Sequence, residues 1–103
     1  MAKKPLELLT ESMFYTLMAL LKTERCGIEI TAFIERKTGG ALKIGPGTLY
    51  TILAKFEEVG YIEETKIEGR KRTYRIASRG LAAYRDELAR LRRCLDDAEK
   101  EEL

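Results

Sequence analysis

The sequence predicts a mainly α fold with one small β-hairpin, and three observations carry that prediction. A helix bounded at both ends occupies the middle of the chain, two strands around a glycine turn follow it, and a long helix with heptad-spaced apolar residues comes last. At 103 residues the chain is long enough for one hydrophobic core and too short for two.

The middle helix organises the rest. Between Gly45-Pro46-Gly47 and Gly60, the residues Leu49, Ile52, Leu53 and Phe56 stand at offsets of zero, three, four and seven, which gathers them on one buried face. Thr48, Tyr50, Thr51 and Lys55 then fall on the opposite face. Two hydroxyls, a phenol and an ammonium suit hydrogen bonding to base edges and phosphates. They equally suit an ordinary solvated face, so the neighbouring elements have to decide. Gly60 is placed to end the helix in a left-handed conformation, with Tyr61 packing back on the last turn.

Taken in order, Met1 to Leu9 form a lead-in containing Pro5, and Thr10 is positioned to cap a first helix from Glu11 to about Lys22. Met13, Phe14, Leu17, Met18, Leu20 and Leu21 make that helix apolar over more than half its circumference, so it should be buried on two sides, with both methionines filling core. Thr23 to Gly27 reads as a turn. Ile30, Phe33 and Ile34 mark a second helix from about Gly27 to Thr38, stopped by Gly39-Gly40. Leu42 to Ile44 has room only for a stub of strand. With the middle helix this makes a three-helix arrangement of helix-turn-helix type.

Tyr61 to Ile67 and Arg72 to Ala77 read as two strands with Glu68-Gly69 as the turn. Lys66, Arg70, Lys71 and Arg72 make the hairpin basic, either as a charged edge that resists aggregation or as a contact for an anionic partner. Ser78 is placed to cap a last helix reaching about Lys100. Its apolar seam, Leu81, Tyr84, Leu88, Leu91, Leu95 and Ala98, alternates steps of three and four and calls for a partner helix. The chain's own first helix and a second subunit both qualify.

Overall charge says little, with 19 Lys and Arg against 17 Asp and Glu, yet it is sorted along the chain. Lys66 to Arg79 holds six bases and one acid, whereas Gly80 to Leu103 holds five bases and seven acids. No run approaches transmembrane length and Lys3-Lys4 begins no signal peptide, so a soluble cytoplasmic protein is expected. Cys26 and Cys94 lack metal-ligand spacing and read as reduced and incidental, a redox switch being the alternative. With no histidine, histidine-based triads and acid–base chemistry are excluded. Gly40 to Gly45 has the glycine spacing of a phosphate loop, but Pro46-Gly47 stands where lysine and a hydroxyl are required; Tyr50 likewise defeats a dinucleotide fingerprint. The acidic pairs Glu57-Glu58, Glu63-Glu64 and Asp96-Asp97 bracket no cleft and read as solvated surface. No enzyme, metal or cofactor is expected.

Leu9-Thr10-Glu11-Ser12, Phe14-Tyr15, Gly27-Ile28-Glu29-Ile30, Gly45-Pro46-Gly47-Thr48-Leu49-Tyr50, Glu57-Glu58-Val59-Gly60-Tyr61-Ile62 and Arg72-Thr73-Tyr74 together resemble the PadR family of bacterial winged-helix transcriptional regulators. The resemblance spans nearly the whole chain, and the Gly45 to Tyr50 run is its most specific part. It implies a winged helix-turn-helix over residues 1–77 and a C-terminal dimerisation helix over 78–103, the short form of the family. It also implies a homodimer that binds double-stranded DNA, usually as a repressor. Thr48, Tyr50, Thr51 and Lys55 would face the major groove, and Lys66, Arg70, Lys71 and Arg72 on the wing would meet phosphate or minor groove. Leu81 to Ala98 would form the dimer interface. Some relatives take aromatic effectors at that interface, which here points to a small hydrophobic effector near Tyr15, Met18, Leu91 and Leu95, without the tryptophan one kind of relative uses. A winged-helix module docking an acidic protein is the alternative.

Overall fold

The computed structural model describes residues 8–103; the lead-in residues 1–7, with Pro5, lie outside them. Helices α1 (Glu11–Ala19), α2 (Gly27–Lys37) and α3 (Pro46–Glu58) are followed by strands β2 (Ile62–Glu68) and β3 (Lys71–Ile76) and by helix α4 (Ser78–Glu101), with a short strand β1 (Arg25–Cys26) between α1 and α2.

Helix α1 begins where the sequence places it. The backbone N–H of Met13 donates to Thr10 Oγ1 at 3.1 Å, which satisfies one of the free donors of the first turn. It ends a turn earlier than Lys22. Leu20 and Leu21 bond back three residues to Leu17 and Met18, and Arg25 Nε donates to the Ala19 carbonyl at 2.7 Å, so a guanidinium closes the helix from outside. Phe14, Thr16, Leu17 and Ala19 are buried, and α1 packs on both α2 and α4. Met13 and Met18 are half-buried against the core.

Arg25 and Cys26 correct the expected turn over Thr23 to Gly27. They pair with Tyr74 and Thr73, making a three-stranded antiparallel sheet in the order β1-β3-β2. Two residues are too few to show an alternating pattern, and only the open edge of β3 makes them a strand. Leu42 to Ile44 form no strand; Leu42 N–H instead donates to Thr38 Oγ1 at 3.1 Å. Helix α2 starts with a reciprocal cap in which the Cys26 N–H donates to Glu29 Oε1 at 2.8 Å. That bond holds the Glu29 carboxyl below its usual range, helped by Lys71 and Arg25.

The buried face of α3 is Leu49, Ile52, Leu53 and Phe56, as the spacing requires. Beyond it the Tyr61 N–H bonds the Phe56 carbonyl at 2.8 Å, and the two rings lie 5.7 Å apart, the helix stop expected at Gly60. In the hairpin, Glu68 pairs with Lys71, so the turn is Gly69-Arg70, one residue later than expected. Gly69 takes φ +64°, which suits the first position of a two-residue loop. A bulge at Thr65 shifts the register between Glu64 and Lys66.

The cap of α4 is Ala77 rather than Ser78. Ala77 completes the strand direction of β3 while its N–H donates to the Tyr61 carbonyl at 2.9 Å, so the backbone rather than a hydroxyl fixes the start of the helix. A Cβ on Gly80 would stand 2.2 Å from that same carbonyl oxygen; only glycine lets α4 approach so closely. The Tyr84 ring then stacks on Phe14 at 4.8 Å, tilted by 6°. From Leu91 to the end every residue is exposed. The core of the domain therefore sits between α1, α2, α3, the sheet and the first half of α4.

Candidate nucleic-acid interface

The four polar residues predicted for the outer face of α3 are all exposed. Thr51 Oγ1 donates to the Gly47 carbonyl at 3.1 Å, which commits its proton and leaves its lone pairs free to accept from a base amino group. Tyr50 presents its ring and phenol at 65 % exposure. Lys55 Nζ lies 3.3 Å from Glu58 Oε1 in a wet i,i+3 pair that is weak enough for a phosphate to displace. Gly45 caps α3 without a side chain and Pro46 opens its first turn, so no carboxylate or hydroxyl of the cap occupies the positive end of this helix.

On the wing, Lys66, Arg70, Lys71 and Arg72 are exposed. Arg70 and Lys71 have no ion pair among the described residues, while Arg72 Nε stands 3.4 Å from Glu64 Oε2. Glu64 is half-buried, which corrects its reading as solvated surface. Arg75 pairs with Glu63 across the strands at 3.0 Å, and Thr65 Oγ1 donates to Glu24 Oε1 at 2.6 Å, tying the base of the wing to the chain before β1. On β3, burial pushes the Tyr74 phenol up, so its proton stays on as the ring packs under the wing.

The structure brings some of these groups together and leaves others apart. Tyr50 and Arg70, Lys71 and Arg72 border one cleft of about 700 Å³, which also touches the start of α2 at Ile28. Thr48, Thr51, Lys55 and Lys66 lie outside that cleft. Ile28, 82 % exposed, and Ile67, 59 % exposed on the wing, were not singled out from the sequence. Ile28 shares a turn with the buried Ile30, and the helical period of α2 alone would have shown that it points away from the core.

The seam of α4 divides. Leu81, Tyr84 and Leu88 are half-buried, Tyr84 and Leu88 against this chain's own core. Leu91 and Leu95 are 39 % and 61 % exposed, and Ala98 is exposed as well. Glu87, beside the seam, is buried and chelated by Arg90, whose Nε donates to Glu87 Oε1 at 3.0 Å; that pairing holds the Glu87 carboxyl below its usual range. Tyr15 and Met18 are half-buried, and with Leu91 and Leu95 they line neither this cleft nor a second, shallower one beside Gly39-Gly40. Cys26 is buried and Cys94 exposed, both as free thiols.

The pattern of the Transcriptional regulator PadR-like family matches residues 16–86, from α1 through the wing into α4. The chain belongs to that family. Its function class is therefore transcriptional regulation and not catalysis. Among solved structures, a transcriptional regulator from Clostridium thermocellum is 29 % identical, with a TM-score of 0.76 over 85 % of this chain and 89 % of that one. Bacillus subtilis PadR in complex with operator DNA is 25 % identical, with a TM-score of 0.65 over 74 % of this chain and 46 % of that one. RosR from H. salinarum, 21 % identical, shares the fold over 91 % of this chain and 93 % of its own, with a TM-score of 0.70. No curated protein matches the chain. Among the described residues no helix is long and apolar enough to cross a membrane, and no group of acids and cysteines could hold a metal ion.

Proposed function

We propose that this PadR-like regulator is a dimeric repressor that binds an inverted-repeat operator in double-stranded DNA. Residues 1–77 read the DNA and residues 78–103 pair the copies. Each copy lays Thr48, Tyr50, Thr51 and Lys55 in a major groove, with the two α3 helices about one DNA turn, ~34 Å, apart. Lys66, Arg70, Lys71 and Arg72 supply the salt-sensitive part of the affinity. The observation that carries this reading is the exposed polar face of α3 together with Arg70 and Lys71, which have no ion pair among the described residues. The Bacillus subtilis relative solved with operator DNA adds support, although this chain spans less than half of it.

Dimerisation rests on the bare half of the seam. Leu91, Leu95 and Ala98 continue a spacing that the first half already uses inside the chain, and a second copy offers them the same chemistry. A small hydrophobic effector releases the DNA. The set Tyr15, Met18, Leu91 and Leu95 can enclose one only when a partner copy completes it.

Fluorescence anisotropy of the full chain on DNA from upstream of its own gene, against scrambled competitor at two salt concentrations, tests the reading. Tight, competitor-resistant binding that weakens with salt is expected. Absence of binding at low salt would overturn it and turn the basic face toward an acidic protein partner.

A further inference from the structure

We infer that the cleft between the wing and the first turns of α2 and α3 is a binding site for an amphipathic alkyl carboxylate, and that a copy holding one cannot hold DNA. The second half of this inference rests on the DNA-binding reading; the first does not. At about 700 Å³ the cleft has the volume of a small-molecule site, and it is already formed within one chain. Its floor is aliphatic: Ile44, Leu49 and Leu53 line it. Ile28 stands 82 % exposed at its mouth, branched apolar surface that water covers poorly and an alkyl chain covers well.

Charge selects the head group. Arg70, Lys71 and Arg72 border the cleft against one lining acid, Glu29, whose carboxylate already accepts the Cys26 N–H at 2.8 Å. The rim thus keeps a cationic excess that an alkyl carboxylate neutralises while its tail covers the floor. A DNA strand would meet the cations but leave the aliphatic floor against sugar and phosphate. A cationic amphiphile would cover the floor and be repelled at the rim. Because Tyr50 and Arg70 to Arg72 are walls of the cleft and also proposed DNA contacts, a bound carboxylate removes from DNA both a recognition-helix side chain and the wing charges.

The test uses decanoate as the probe and decyltrimethylammonium as the cation of equal tail length, titrated into the full chain while amide NMR resonances are followed. Decanoate should shift Ile28, Leu49 and Arg70 to Arg72, and the cation should leave them unmoved. Ile28→Glu, at a wet position that the fold tolerates, should weaken decanoate about tenfold. Equal response to both amphiphiles, or shifts confined to Leu91 and Leu95, would overturn the site. In a second arm, saturating decanoate should raise the apparent Kd for a DNA duplex at low salt, and an unchanged Kd would overturn the exclusion. Decanoate seated in a chain that binds no duplex would sink the DNA-binding reading and the exclusion while leaving the site standing. Duplex binding without decanoate binding would sink the site alone.

Discussion

The two halves of α4 carry one spacing and meet different fates. Leu81, Tyr84 and Leu88 are half-buried, Tyr84 and Leu88 against the chain's own core with Tyr84 stacked on Phe14, whereas Leu91, Leu95 and Ala98 face solvent. The difference comes from the other end of the chain and not from the seam. Helix α1 has 9 residues and α4 has 24, so α1 is too short to cover more than the first turns of its neighbour. A heptad pattern shows that a face wants a partner; the length of the neighbour decides how much of it must look elsewhere.

That contrast can be broken from either side. The largest effect is expected at Gly80, where any Cβ meets the Tyr61 carbonyl oxygen at 2.2 Å. Gly80→Val should lower folding stability by about 3 kcal/mol, because backbone rather than a flexible side chain must yield. Urea unfolding checks it, and a loss under about 1 kcal/mol would mean that α4 does not approach the Tyr61 carbonyl this closely. Next comes a pair. Leu88→Asp should cost about 2 kcal/mol of fold stability, since it places a charge against the core, while Leu95→Asp should change the fold by less than about 0.5 kcal/mol and yield monomers. Sedimentation beside urea unfolding separates the two. An intact dimer for Leu95→Asp would remove the second half of α4 from the interface.

The smallest effect is a pH dependence. Glu87 is held below its usual range by Arg90, so its contribution is present above the ordinary glutamate pKa and is lost as pH falls through its lower folded value. The stability advantage of the wild type over Glu87→Gln should accordingly hold at neutral pH and shrink below the usual glutamate range. A difference that stays constant into acid would mean that the pair does not form in solution.

How much of this was legible in the sequence depended on whether the signal was local. Leu49, Ile52, Leu53 and Phe56 repeat often enough to fix the face of α3, and Thr10 and Gly60 mark their helix ends by their own chemistry. Arg25 and Cys26 form a strand only because β3 passes beside them, and two residues have no period to read. Ser78 has the better capping side chain, yet Ala77 takes the position because its N–H is held by Tyr61. The exposure of Tyr50 and of Arg70 to Arg72 was legible residue by residue, but the cleft that unites them was not. Ile28 comes from α2, far along the chain from the wing, and only the packing of α2 and α3 against the sheet brings it alongside.

The same contrast of roles applies across the interface itself. The outer face of α3 offers hydroxyl and phenol groups, whose hydrogen bonds are directional, and the wing offers exposed charge, so α3 should choose the sequence and the wing should set the salt dependence. The most direct measurement is the slope of log Kobs against log salt for the wild type and for Arg70→Ala with Arg72→Ala, on an operator duplex and on a scrambled one. A slope lower by about one unit per lost phosphate contact, with affinity reduced alike on both duplexes, is the predicted result. An unchanged slope, or a loss confined to the operator, would contradict the assignment of the wing and with it this account of how the chain holds DNA.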